Sequence, residues 1–540
     1  MKKTKKANLK VNNPSKQQVS KLLEYYQKGR FDEAEKLSLE IIKYFPNHVM
    51  SWKVLGSVLG ATGRKYEALD AKQTVVQLSP QDFEAYYNLG NTFKELGILE
   101  KAVISFSHAI SLKPDYAQAH NNLGNTFQEL GRLDEAVASF TEAIVLNPDY
   151  AQAHNNLGNT FQELGRLDEA VTSFTQAIVL RPDYAKAHYN LGNTLTELGR
   201  LEKAVASYNK AIALKPDFAE AHTNLANTLT ELGRLDKALA SYNQVIALKP
   251  DSADAYSNLG FIFRSLDRLE EAITSTNKAI ALKPDSPEYY SNLGAMFHQL
   301  GRLDEAVANY NKAIALKPDY MRAKHMLAAL TGEIPKTAPR DYVERLFDYF
   351  ANHFEKTLVD KLEYRIPKVV SEIIIKDSKS NFLGSITDLG CGTGLFGVEI
   401  KKFSKYLEGV DLSQKMLKKA EEKTVYDKLI KQDILDYLSN ANLNFDYFVS
   451  TDVFIYIGDL DNVFRLIKSR NEKGGKLVFS TEDYNGEGFF LEQSGRYSHS
   501  KKYIDGLCKK FGFEISHFVL HPLRKEENKI IIGGIYLLTF

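Results

Sequence analysis

Cysteine is nearly missing from this chain. The two present, Cys391 and Cys508, cannot form the framework of bridges that holds small secreted domains together. An excess of one charge is missing too. Lys and Arg number 69 against 68 Asp and Glu, a net charge of +1, so no overall field draws the protein to nucleic acid or to an anionic membrane. No stretch approaches the roughly 20 apolar residues that span a bilayer. The single run of like charge, MKKTKKANLK at the start, has no apolar segment after it. It reads as a solvated basic tail over residues 1–14 and not as a secretory signal. These absences set the expectation of a cytoplasmic protein with neither membrane nor nucleic acid as partner. At 540 residues the chain has room for two or three domains.

What the sequence has in quantity is repetition. Pro46, Pro80, Pro114, Pro148, Pro182, Pro216, Pro250, Pro284 and Pro318 stand 34 residues apart without a slip. A fixed period of this length means stacked supersecondary units and no single compact core. In the unit AQAHNNLGNTFQELGRLDEAVASFTEAIVLNPDY, residues 117–150, apolar positions recur at helical spacing on both sides of a Gly-Arg turn, which predicts two antiparallel helices. Leu123 and Phe127 face inward on the first, and Ala136, Phe140 and Ala143 on the second. Small residues at Gly124 and Ala136 permit close approach, Gly131 ends the first helix and Pro148 the second. This order of small, large and proline positions resembles the tetratricopeptide repeat over residues 15–332, about nine repeats and a capping helix through Leu327. Units 117–150 and 151–184 differ only at Ala138/Thr172, Glu142/Gln176 and Asn147/Arg181, which implies a recurring contact surface. Asp267 replaces one turn glycine and is expected to alter the local path.

Two columns of asparagine keep the same period. One holds Asn88, Asn122, Asn156, Asn190, Asn224, Asn258 and Asn292. The other holds Asn91, Asn125, Asn159, Asn193 and Asn227, and then gives way to Phe261 and Ala295. Positions three apart share a helix face, so stacking predicts a double ladder of amides. Carboxamides donate and accept, so such a ladder can grip a peptide backbone without reading its side chains. The array is similar to that of the O-linked N-acetylglucosamine transferases, and that resemblance implies a protein or peptide bound in a concave groove. The other reading has these amides bonding neighbouring helices. A column of His120, His154, His188 and His222 suggests a metal ladder. However, equivalent helices lie about 10 Å apart, too far for imidazoles to share one ion. Trp52, Tyr86, Tyr256 and Tyr290 occupy the same column, so packing is expected and no metal.

After a short connection at 333–340 the pattern changes. SITDL, GVDL, KLIKQD, FDYFVSTD and GKLVFS read as strands separated by helical stretches near 395–404, 413–423 and 459–470. Alternating strands and helices predict a parallel sheet with ligands at the carboxyl ends of its strands. DLGCGTG, Asp388 to Gly394, closes the first strand, Asp411 the second and Asp433 the third. Glycines at alternate positions let the backbone come close to a ligand, and a carboxylate at the second strand end can accept ribose hydroxyls. The G-x-G-x-x-G fingerprint of nicotinamide enzymes is absent. The G-x-G-x-G spacing, with an acid two residues ahead, resembles the class I S-adenosylmethionine-dependent methyltransferases over 341–540. The resemblance implies a multidomain chain, an all-α tetratricopeptide solenoid followed by an α/β Rossmann-like domain. It also implies S-adenosylmethionine as cofactor, bound by Asp388, Gly390, Cys391, Gly392, Thr393, Gly394, Asp411, Leu412, Met416, Asp433, Ile434 and Thr451. Cys391 reads as a small filler of the loop.

The segment RDYVERLFDYFANHFEKTLVDKLEYRIPKVV is similar to the helical lid of ubiquinone- and malonyl-carrier-type members. Tyr349, Phe354 and Tyr364 are expected there, either over the sulfonium or in lid packing. A repeat array fused to such a domain, with GRYSHS and HPLRKEENK downstream, resembles a bacterial group of repeat-containing methyltransferases. Candidates for a proton acceptor are Asp452, Tyr456, Glu482, Tyr484, Tyr497 and His499, with His499 or Tyr497 favoured. T-D-V-F stands where enzymes that methylate base amino groups carry N-P-P-Y, which argues against nucleic acid. Three functions are compatible with these features: a protein methyltransferase whose solenoid recruits its substrate, a small-molecule methyltransferase docked through its repeats, or a scaffold with an inactive domain.

Overall fold

The computed structural model describes residues 13–540 apart from 353, 356, 357, 359–361, 379–381, 441, 442, 527 and 528. The first twelve residues of the expected basic tail therefore lie outside the described residues. The chain divides into two compact units, one up to Leu225 and one from Ala226 to Phe540.

In the first unit the 34-residue period resolves into helix pairs such as Ala117–Glu129 with Leu133–Leu146. Gly131 takes the left-handed conformation (φ 72°) that turns one helix back on the other. Gly124 lies so close to Phe140 that a Cβ there would sit 2.8 Å from the ring. Leu123, Phe127, Ala136 and Phe140 join Leu89, Phe93, Phe106, Leu157, Phe161 and Phe174 in one apolar core running through successive repeats. The histidine column has a role beyond packing. Nε2 of His120, His154, His188 and His222 bonds the carbonyl of Pro114, Pro148, Pro182 and Pro216 at 3.0–3.2 Å. Trp52 donates from Nε1 to the Pro46 carbonyl at 2.7 Å in the same way. A ring N–H thus satisfies a carbonyl at the proline that separates two units.

The second unit opens with more helix pairs, Ala253–Ser265 with Leu269–Leu282 and Pro287–Gln299 with Leu303–Leu316, then the helix Met321–Thr331. Asp267, expected to disturb its turn, adopts φ 59°. It keeps the turn bond too: Arg268 N–H reaches the Phe263 carbonyl at 2.8 Å, as Arg132 reaches Phe127 at 2.9 Å. Residues 333–340, expected as a linker, are instead laid against the α/β domain. Ala338 is buried and donates its N–H to the Tyr456 carbonyl at 3.0 Å, while the Lys336 carbonyl accepts Asp459 N–H at 2.8 Å.

The sheet of this unit contains β1 (Ser385–Leu389), β2 (Tyr406–Asp411), β3 (Lys428–Lys431), β4 (Tyr447–Ser450) and β5 (Lys476–Asp483) in the parallel order β3-β2-β1-β4-β5. These are the five strands read from the sequence. Four more come after them: β6 (Phe489–Leu491), β7 (Tyr497–His499), β8 (Glu514–Glu526) and β9 (Lys529–Thr539). β9 lies antiparallel to β5, β8 antiparallel to β9, and the β6–β7 hairpin joins the carboxyl end of β5. Alternate side chains feed two cores: Phe448, Leu477 and Phe479 on one face, Tyr447, Val449 and Val478 on the other. The strand order reverses between β1 and β4, the point where doubly wound sheets open a crevice.

Candidate active site

A cavity of about 410 Å³ opens at that reversal. Its floor is the loop after β1. Gly390, Gly392 and Gly394 all have positive φ (79°, 53° and 85°), and a Cβ on Gly390 would strike Val453 at 2.4 Å. The turn is locked by Gly390 and Cys391 N–H groups bonding the Val410 carbonyl at 2.8 and 3.0 Å. At the end of β2, Asp411 accepts Gly392 N–H through Oδ2 and Ser413 N–H through Oδ1, both at 2.8 Å. One carboxylate thus ties the first two strand ends together. Burial pushes its pKa up to about 6 in spite of those bonds.

Asp388, at the end of β1, is fully buried. Tyr426 donates to its Oδ2 at 2.7 Å, while Oδ1 has no partner among the described residues. Burial pushes this carboxyl up to about 7, with the Asp411 charge adding to it. Asp433 caps the helix Ile434–Leu438 through the Leu435 and Asp436 N–H groups and also receives Arg340 at 3.0 Å. Of the residues expected around a cofactor, Gly390, Cys391, Gly392, Thr393, Asp411, Leu412, Asp433, Ile434 and Thr451 line the cavity. Asp388, Gly394 and Met416 stand behind that wall. Met416 is fully buried beneath it.

The roof is the helix Arg340–Phe350 together with Phe354, Leu358, Leu362, Tyr364 and Pro367. Arg340 bridges Asp433 and Asp436, Glu344 pairs with Lys431 at 2.9 Å, and Asp348 accepts Ser413 Oγ at 2.5 Å. Phe354 and Tyr364 line the cavity as expected of the lid. Tyr349 turns away from it and packs edge-on against Phe261 of the helical repeats, 5.1 Å between ring centres. Asn352 and Lys415 both reach Glu231 of the repeats, at 2.9 and 3.2 Å.

The favoured proton acceptors fall elsewhere. His499 is fully buried, its Nε2 held by the Ile457 and Gly458 carbonyls at 3.0 Å, and burial pushes its pKa down to about 4. Tyr497 is equally buried, its hydroxyl without a partner among the described residues. Neither lines the cavity, because β7 turns both side chains under the hairpin. Asp452 and Tyr456, the other candidates near β4, do line it. Asp452 adopts φ 59° and its Oδ2 accepts Arg524 at 2.8 Å. Arg524 also grips Glu482, which receives Arg496 at 2.9 Å, and Arg496 in turn pairs with Glu526. This buried network was not foreseen. Its arginines lie in the GRYSHS and HPLRKEENK stretches, whose polar composition gave no sign of a buried network.

Tetratricopeptide-repeat models match residues 21–83, overlapping stretches from 90 to 301, and 287–320, and a methyltransferase-domain model matches 383–511. The chain joins tetratricopeptide repeats to a methyltransferase domain. One similar protein is malonyl-[acyl-carrier protein] O-methyltransferase 1 of Ilyobacter polytropus, 30% identical over 25% of this chain and 48% of that protein. Another is malonyl-[acyl-carrier protein] O-methyltransferase of Erwinia pyrifoliae, 24% identical over 27% of this chain and 54% of that protein. The chain spans about half the length of these curated relatives. Among solved structures, MamA of Desulfovibrio magneticus RS-1 is 24% identical over 32% of this chain and 96% of its own, with a TM-score of 0.31.

Proposed function

We propose that the protein is an S-adenosylmethionine-dependent methyltransferase whose repeats recruit a protein or peptide acceptor. The observation that carries this reading is the pairing of the glycine loop with Asp411 at the strand-order reversal, beneath an aromatic roof. Gly390 and Gly392 offer backbone where a side chain would intrude. Asp388, just behind the cavity wall and bonded by Tyr426, supports the loop that would hold the methionine moiety. Asp411 and Asp433 suit the ribose and the adenine amino group. When bound, the cofactor supplies a methyl group on a sulfonium, ready for in-line displacement. Phe354, Tyr364 and Tyr456 exclude water and favour a cation. Asp452, held by Arg524, is the group placed to take a proton from the acceptor.

The asparagine columns bear on recruitment in a specific way. Asn122 donates to Asn91 at 2.9 Å, Asn190 to Asn159 at 2.9 Å, and Asn224 to Asn193 at 2.8 Å. Asn156 donates to Asn121 at 3.1 Å, and the Tyr242 hydroxyl donates to Asn227. Much of the ladder therefore joins successive helices, and a peptide would meet what remains, such as the exposed Asn88. The two relatives are named for methylating a group carried on a protein, which is compatible with a protein-borne acceptor here.

The test is transfer of label from S-adenosylmethionine into a lysate of the source organism, with Asp411→Ala as control. Label in a discrete protein band, lost in the variant, is the expected result. Label confined to small molecules would replace recruitment with docking. No label, together with no cofactor binding, would leave an inactive domain on a scaffold.

A further inference from the structure

A second and larger cavity, about 1600 Å³, lies within the second unit between its helical repeats and its α/β domain. It shares Tyr342, Leu346, Phe350, Ser494, Arg496 and Glu526 with the smaller cavity, so one opens beside the other. Its two walls differ in charge. The catalytic side carries Asp483 and Glu492 together with the exposed Lys529, and the roof helix adds Asp341. Arg496, Glu482 and Glu526 face it already paired with one another. The repeat side carries Arg264 and Arg322, with Arg345 from the roof helix, and none of these three forms an ion pair among the described residues. Among the described residues Arg264 bonds the neutral Gln299 at 3.2 Å and Arg322 the neutral Asn292 at 3.4 Å. Burial and the nearby Arg322 charge both work against the charge on Arg264.

A change within the repeat pattern is a second, independent sign of an occupant. In earlier repeats the tyrosine at this position has an asparagine to bond: Tyr208 donates to Asn193 at 2.9 Å, and Tyr242 to Asn227. Two periods on, the pair has become Tyr310 and Ala295. Tyr310 is 1% exposed and lines the cavity, and its hydroxyl has no partner among the described residues. A buried hydroxyl donor left open beside two unpaired guanidinium groups is costly unless something fills it. The sequence differs at the arginines too. Arg322 stands where the two preceding repeats carry Asp254 and Glu288, and Arg264 where earlier repeats carry Gln162, Thr196 and Thr230.

We propose that this cavity anchors an oxyanion, carboxylate or phosphate, of the methyl acceptor through Arg264, Arg322 and the Tyr310 hydroxyl. The assignment as an acceptor site rests on the methyltransferase reading above. It narrows the substrate class to acceptors that carry a negative charge at a distance from the methylated atom. On the far side the carboxylates of Asp341, Asp483 and Glu492 outnumber Lys529, which orients such a ligand with its anion toward the repeats and its other end toward the smaller cavity.

The test uses the full chain and two probes, inorganic pyrophosphate and tricarballylate, titrated calorimetrically at fixed ionic strength. S-adenosylmethionine is titrated in parallel. At least one probe should bind the wild type, and the tighter of the two names the oxyanion. Arg322→Gln should weaken that binding at least tenfold and leave cofactor affinity unchanged. Ala295→Asn, which returns the missing partner to Tyr310, should weaken it while raising Tm. Tyr310→Phe should do the same, an outcome that loss of fold cannot produce. No binding of either probe, or equal binding by wild type, Arg322→Gln and Ala295→Asn, would overturn the proposal. Probe binding without cofactor binding would overturn the methyltransferase reading and leave the anion site standing.

Discussion

Tyr426 donates its hydroxyl to one oxygen of Asp388 at 2.7 Å, and the other oxygen of that buried carboxyl has no partner among the described residues. A carboxyl whose pKa rises from 3.8 to about 7 on folding holds its proton in the folded state where the unfolded chain has lost it. Its contribution is fully present at acid pH and is lost as the pH rises through about 7. Asp388→Asn should therefore gain Tm over the wild type by several degrees more at pH 8 than at pH 5. Scanning calorimetry of the ligand-free protein at both values checks this. An equal shift at the two would assign the titration to another group.

Arg524 is the only cation that Asp452 bonds among the described residues, and it also holds Glu482. Arg524→Met leaves the buried Asp452 without a cation and Glu482 with Arg496 alone, and should cost about 3–5 kcal/mol in denaturant unfolding. Replacing Asp452 by Asn in the same chain should recover part of that loss. No recovery would mean that the guanidinium acts through packing.

The repeats contain glycines with two different duties. A Cβ at Gly192 would sit 2.6 Å from the Tyr208 ring, so Gly192→Ala should cost about 1–3 kcal/mol through overpacking. Gly131 faces open space but has φ 72°, so Gly131→Ala should cost about 1–2 kcal/mol through backbone strain. Trimming Tyr208 to Leu should relieve the first substitution. A comparable rescue of Gly131→Ala by trimming Phe140 would contradict the strain account.

Asn190 is buried and donates to both Asn155 and Asn159. Asn190→Ala should lower stability by about 1–3 kcal/mol, because it leaves the buried Asn155 and the half-buried Asn159 short of a donor. Asn88→Ala, at an exposed position, should leave stability within about 0.5 kcal/mol. Thermal unfolding of the two variants separates the amides that hold helices together from those left for a ligand.

Much of the fold was legible because its signals are local. The proline period and the turn glycines marked every helix pair near residues 117–184, and five strands were readable from short apolar runs ending in Asp388, Asp411 and Asp452. β8 and β9 were not read. β8 exposes much of its length and contains Pro522, so it has no clean alternation, and β9 is a continuous apolar run that periodicity cannot assign. At the candidate site the glycine loop and Asp411 were legible from spacing alone. His499 and Tyr497 were singled out for their chemistry, and the β6–β7 hairpin folds both beneath the surface.

By itself the sequence determined the repeat register, the left-handed turns and the placement of acids at strand ends, since each depends on a few neighbouring residues. Tertiary structure alone decided which polar groups found partners. His325 reaches the Gly495 carbonyl across 170 residues, and Arg524 reaches Asp452 across 72. Whether Tyr310 is satisfied depends on the side chain at 295, on the neighbouring helix. Such pairings are fixed by packing between elements distant in the chain, where no local period carries the information.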